Sequence, residues 1–127
     1  MALKVGIVGM RGIGNNHATC HSKDELSDLV AVCDVIKERA DEAAEKFGVP
    51  AYYSLKAMLD DQELDVVDVT TGGNENGSWH YEPAMEAMEA GKHVLCEKPL
   101  SNDVEEARDM VATAAEMDVY LGCNLNH

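Results

Sequence analysis

Short runs of β-branched and aliphatic residues recur along the chain, each followed by a longer stretch with helical spacing. This alternation restricts the fold more than any other feature of the sequence. Strands are expected over residues 3–8, 29–33, 65–70, 93–96 and 119–122, and helices over 13–23, 36–47, 79–89 and 104–116, with a shorter one over 55–60. Most of the strand runs are apolar on both faces, as strands covered by helices must be. Gly48 and Gly91 follow two of the helices as stops, and Ser101, Asn102 and Asp103 precede Val104 as caps, with Glu105 and Glu106 at the positive end of that helix dipole. Parallel strands joined by right-handed helical crossovers form a doubly wound α/β sheet, which binds ligands at the carboxyl ends of its strands. The loops after Val8, Cys33, Val69 and Cys96 are therefore expected on one shared edge.

At 127 residues and 46% hydrophobic, the chain can bury one core without disulfide or metal staples. No internal repeat, low-complexity tract or linker divides it, so residues 1–127 read as a single domain. Twenty-four acidic against ten basic residues give a formal charge of −14, which disfavours nucleic acid and an anionic membrane as partners. Cys20, Cys33, Cys96 and Cys123 are scattered, without zinc-like spacing, and read as reduced thiols. The N-terminus enters its first strand at once, and no apolar run reaches the roughly 18 residues of a membrane span, so a cytoplasmic location is expected.

The first strand runs straight into Gly9-Met10-Arg11-Gly12-Ile13-Gly14 and then a helix. That is where a dinucleotide fold turns sharply and aims helix amides at a pyrophosphate. The spacing departs from GxGxxG, since Arg11 stands where the second glycine belongs and a glycine follows one place later. Two readings stay open, with the first favoured: Arg11 points outward, even pairing with a phosphate, while Gly12 supplies the close approach; or the arginine obstructs the usual pose. Glycines serving only a tight turn would account for the loop equally well.

Asp34 adds an independent signal. A carboxylate at the end of the second strand, about 20 residues past the glycine loop, is placed to accept from ribose hydroxyls and to repel a 2′-phosphate, which favours NAD over NADP. Lys37 and Arg39 follow closely and could soften that preference; Asp34 could also cap the next helix, and the two roles are compatible. Lys98, in Glu97-Lys98-Pro99, falls on the same edge beside a carboxylate able to hold it. Its ammonium could donate to a carbonyl oxygen or, with a lowered pKa, help take a proton from an alcohol. A surface lysine before a proline turn is the plain alternative.

The segment from Thr70 and Thr71 through Asn74 to Trp79 and His80 is polar and glycine-rich, and lies at another strand end, offering groups to a ribose or a nicotinamide. Trp79 serves equally well as a helix-start residue packed on the domain, and His80 as a surface residue at the helix N-terminus. His17 and His21 stand four apart on one helix face, but no acid or cysteine spacing completes a ligand set, so no metal site is expected.

Taken together, these elements resemble the Gfo/Idh/MocA family of oxidoreductases from Lys4 to His127. The resemblance rests on Val5-Gly6-Ile7-Val8-Gly9 with Gly12-Ile13-Gly14 and His17-Ala18, on Val30-Ala31-Val32-Cys33-Asp34, on the run from Glu89 to Leu100 that contains Ala90-Gly91-Lys92-His93-Val94 and Glu97-Lys98-Pro99, and on Asn126-His127. It implies a Rossmann domain binding NAD or NADP, followed by an α+β substrate domain. It also implies reversible hydride transfer at a hydroxyl carbon of a sugar, an inositol or a related polyol, with Lys98 as the catalytic or substrate-contacting residue. Expected cofactor contacts are Gly9, Met10, Arg11, Gly12, Ile13, Gly14, Asp34, Arg39, Thr70, Thr71, Asn74, His80, Glu97, Lys98 and Asn126.

Arg11 departs from the family pattern, as does the long loop from Gly72 to Ser78. Family members continue past the Asn-His pair into the substrate domain, so that domain is expected to be missing here, with small-molecule substrate bound only in its presence and turnover by this chain weak or absent. Two competing readings are a nucleotide-sensing module without catalysis and a domain that self-associates through an uncovered apolar face.

Overall fold

The computed structural model describes residues 2–72 and 78–125, with Ser78 described by its backbone alone. The chain order is β1 (Leu3–Val8), α1 (Gly12–Lys23), β2 (Ser27–Cys33), α2 (Lys37–Phe47), β3 (Ala51–Tyr52), α3 (Leu55–Asp61), β4 (Val66–Val69), a 3-10 turn (Ser78–His80), α4 (Tyr81–Glu89), β5 (His93–Glu97), α5 (Val104–Met117) and β6 (Leu121–Asn124). The strands form one sheet ordered β3-β2-β1-β4-β5-β6, and every neighbouring pair is parallel. This is a doubly wound α/β domain of Rossmann type.

Alternation along β1 sends Val5 and Ile7 to one face, where they pack with Ala18 of α1 and Ala43 of α2. Val8 goes to the other, with Met58 of α3, Ala84 and Met88 of α4 and Met110 of α5. The opposite assignment of the two helix sets follows from handedness. Right-handed crossovers from β1 towards β3 and from β4 towards β6 run in opposite directions along the sheet, and so cover opposite faces. The helix ends are defined by local chemistry. Ser54 accepts from the Ala57 amide at 3.1 Å and Asp103 from the Glu105 amide at 2.8 Å, while Gly48 and Asp118 close α2 and α5 in the left-handed region.

Three features differ from the sequence expectations. β3 was not anticipated, because two residues pairing only with Val32 and Cys33 leave no periodic pattern. The final strand lies two residues later than 119–122. Asp118, at φ 55°, reverses the chain, and the next two amides donate elsewhere, Val119 to the Ala114 carbonyl at 3.0 Å and Tyr120 to the His93 ring at 3.0 Å. Most importantly, β4 is not apolar on both faces: Asp68 at its centre is fully buried. Among the described residues no helix is long and apolar enough to cross a membrane.

Candidate functional site

β1 sits between β2 and β4, so crossovers leave it in opposite directions and open a crevice at its carboxyl end. The turn there is built by glycine. Gly9 has φ 101°, and a β-carbon on it would lie 2.5 Å from the Thr71 nitrogen. At Gly14 a β-carbon would lie 1.9 Å from the Gly9 carbonyl oxygen, so α1 can approach the strand only with glycine at that position. Thr70 fastens the turn to β4, its buried hydroxyl donating to the Gly9 carbonyl at 2.7 Å.

Gly12 is different. A β-carbon there would meet nothing within 4 Å, so the protein's own packing does not require glycine, and the space in front of the helix stays open. α1 begins at Gly12 with no side-chain cap and no acid in its first turn. Its first amides therefore lack intrahelical partners, have no side-chain cap among the described residues, and carry the positive end of the helix dipole. Space and donors together fit the phosphate groups of a dinucleotide.

Asp34, 6% exposed, holds the loops after β1 and β2 together. One carboxylate oxygen accepts from the Met10 amide and the other from the Ile36 amide, each at 2.8 Å. The capping role expected of Asp34 is not found, since α2 has Ile36 at its N-cap and no side-chain cap; Asp34 instead closes the turn before that helix and braces the glycine loop. The Met10 side chain is buried in the core. Asp34 also lines a cleft with Val8, Gly9, Arg11, Arg39, Thr71 and Trp79. The Arg11 side chain runs along Gly72, its Nη1 3.3 Å from where a β-carbon would stand, and so forms part of the cleft wall. Ile13 is exposed just beyond it.

His80 is buried, with Nε2 2.9 Å from the Thr71 carbonyl and Nδ1 2.6 Å from the Pro99 carbonyl. Both ring nitrogens are used in bracing the β4 and β5 loops, so His80 supports the edge rather than presenting a free group to a ligand. Trp79 is 60% exposed on the cleft, and the Thr71 hydroxyl donates to its carbonyl at 3.0 Å. Lys98 is exposed just past β5. The expectation that Glu97 holds its ammonium is corrected: the Glu97 side chain turns inward, away from Lys98, to partners on α1 and β6. Asn74 and Asn126 lie outside the described residues.

The inward partners form a buried polar cluster. One oxygen of Asp68 meets Nδ1 of His17 at 2.8 Å and Nε2 of His21 at 2.9 Å. The other oxygen is buried without a hydrogen-bond partner among the described residues. Nε2 of His17 lies 3.0 Å from Glu97, and the same Glu97 oxygen accepts from the Asn124 amide at 2.7 Å. The hydrogen bond to Asp68 raises the pKa of His17 above its ordinary value against the opposing pull of burial, and the Glu97 charge adds to the rise. Burial pushes the Asp68 carboxyl up, but donation from the two histidines outweighs it and holds the group below its usual value. Cys96 beside the cluster is pushed up to about 12 by burial and by Cys123, Asp68 and Glu97, so its thiol is inert. The pairing of His17 with His21 was legible from their spacing; their acid partner was not. Among the described residues no group of His, Cys, Asp and Glu is arranged to hold a metal ion.

Comparison with known proteins agrees with this geometry. The chain is 38% identical over 111 residues to an inositol 2-dehydrogenase/D-chiro-inositol 3-dehydrogenase of Lactiplantibacillus plantarum, covering 85% of this chain and 31% of the relative. The WlbA dehydrogenase of Bordetella pertussis, solved with NADH and UDP-GlcNAcA, superposes with a TM-score of 0.90 at 28% identity, over 98% of this chain and 37% of that one. A 3-ketoreductase from Actinomadura kijaniata, solved with TDP-benzene and NADP, gives 0.88 at 29% identity, over 98% of this chain and 38% of that one. The chain thus spans about a third of the length of these relatives. Residues 3–125 match the Gfo/Idh/MocA family model, described as an oxidoreductase family with an NAD-binding Rossmann fold, and the chain belongs to that family.

Proposed function

We propose that this chain binds the nicotinamide cofactor of an oxidoreductase that transfers a hydride at a hydroxyl carbon of a sugar, an inositol or a related polyol. The observation that carries the reading is the helix start at Gly12, uncapped among the described residues, beside the fixed carboxylate of Asp34. The amides of Gly12, Ile13 and Gly14 would receive the pyrophosphate, Asp34 the adenosine ribose, and the cleft between Arg39, Thr71 and Trp79 the adenosine side of the cofactor. When bound, the nicotinamide supplies or accepts the hydride. Lys98, exposed on the same edge, would donate to the substrate oxygen as negative charge develops there.

NAD is proposed as the preferred form, because Asp34 opposes a 2′-phosphate, although Arg11 and Arg39 on the same cleft supply compensating charge. The polyol class draws on the relatives named above. Their greater length supports the view that substrate capture and turnover need polypeptide beyond this span. The four cysteines stand as free thiols, which fits the reducing cytoplasm in which the chain is proposed to work.

Calorimetric titration with NAD and NADP tests the proposal. Binding of NAD in preference to NADP, with the NADP response weakened further in Arg39→Ala, is the expected result. Silence with both at millimolar concentration would remove the cofactor assignment. A second reading, self-association without catalysis, is favoured by exposed Val104 and Val111 along α5. A concentration-dependent dimer indifferent to nucleotide would support it.

A further inference from the structure

The cluster beneath β4, β5 and β6 is more than packing. Among the described residues, His17 is the single side chain that touches both acids of the cluster, Asp68 of β4 through Nδ1 and Glu97 of β5 through Nε2. Neither carboxylate oxygen can donate while ionised, so both contacts are made together when each ring nitrogen carries a proton. Asn124 of β6 completes the grip on Glu97. Four elements, α1, β4, β5 and β6, therefore meet at one imidazole, and the residue they hold is the last of β5. The next residue in the chain is Lys98.

We propose that His17 is a positioning residue for Lys98: by bridging Asp68 and Glu97 it fixes the end of β5, and with it the direction in which the Lys98 side chain leaves the carboxyl edge. Loss of the His17 proton removes the donor that His17 gives to one of the two carboxylates, leaving that acid to His21 or Asn124 alone, loosens the end of the strand and changes the presentation of Lys98. Among the described residues, four groups face His17 in this coupling. They are Asp68 from β4, Glu97 from β5, the neutral amide of Asn124 from β6, and His21 one turn along α1, which shares the Asp68 oxygen. The thiols of Cys96 and Cys123 lie nearby and are held protonated by burial. The raised pKa of His17 is consistent with the doubly donating geometry.

The importance of Lys98 rests on the function proposed above, but the coupling is measurable on the unliganded chain. Lys98 is acylated with a small amine-reactive reagent across a pH series from about 6 to 9, and its rate is divided by that of exposed Lys46 on α2, which removes the general rise of amine reactivity with pH. The expected result is a several-fold change in this ratio, with a midpoint equal to that of the His17 ring followed by nuclear magnetic resonance. In His17→Gln, which keeps a neutral donor, the ratio should no longer depend on pH. A ratio that behaves identically in the two proteins would overturn the proposal and leave His17 a purely structural residue. Should His17→Gln fail to fold, the wild-type amide resonances of Glu97 and Lys98 decide. They must shift with the His17 midpoint, and independence from it overturns the proposal equally. Absence of NAD binding would count against the proposed function without altering either readout.

Discussion

The two halves of the carboxyl edge are held by opposite means. Around β1 and β2 the edge is built from backbone: glycines where no side chain fits, a threonine hydroxyl on a carbonyl, and one carboxylate on two amides. Around β4, β5 and β6 it is built from ionisable side chains meeting under the sheet. Backbone geometry does not titrate, whereas a cluster of acids and imidazoles does. One half should therefore respond chiefly to side-chain volume, and the other chiefly to pH.

The largest effect expected from breaking this contrast is at Gly9. An alanine there combines a left-handed backbone with a clash against the Thr70–Thr71 backbone, and should cost roughly 3 to 5 kcal/mol by chemical denaturation. Gly14→Ala meets only the clash, and should cost about 1 to 3 kcal/mol. Asp34→Ala strips the acceptor from two amides, and should cost about 2 kcal/mol by the same measurement.

On the other half, the denaturation midpoint should follow pH. The folded pKa of His17 is raised above its ordinary 6.5, so its contribution is complete below that value and is lost as pH rises through the folded pKa. That of Asp68 is lowered below 3.8, so its contribution is complete above that value and disappears as pH falls through the folded pKa. His17→Gln should flatten the alkaline limb and, because His17 helps to hold the Asp68 carboxyl low, also move the acid limb to higher pH. The smallest effect on stability is expected at Gly12→Ala, which meets open space and should be neutral or gain up to about 1 kcal/mol. Its affinity for a dinucleotide should nonetheless fall about tenfold; unchanged affinity would break the assignment of that space to a ligand.

The same contrast explains what could be read from the sequence. The backbone half was legible because its determinants are local: a strand, a glycine turn, a helix, and an acid one strand later. Leu3–Val8 and the position of Asp34 follow from neighbours a few residues away. The ionisable half draws its partners from 47 to 80 residues apart, His21 to Asp68 and His17 to Glu97, and no periodicity links them. One signal was present nonetheless. Asp68 stands with valine on either side inside a strand run, and an acid so placed is buried and needs a donor. His17 and His21, one turn apart, were the donors available. The inward turn of Glu97 had no such sign, since its sequence neighbour Lys98 offered a nearer charge.

Under the cofactor assignment proposed above, the tethering of Asp34 has a consequence for the ribose it would receive. Because each of its oxygens is tethered to an amide of a different loop, the carboxylate cannot rotate to suit an incoming hydroxyl. Its orientation is settled when the chain folds, and the guest must match it. Recognition there would work as a fixed template rather than an adjustable grip, with little rotamer entropy left to lose on binding.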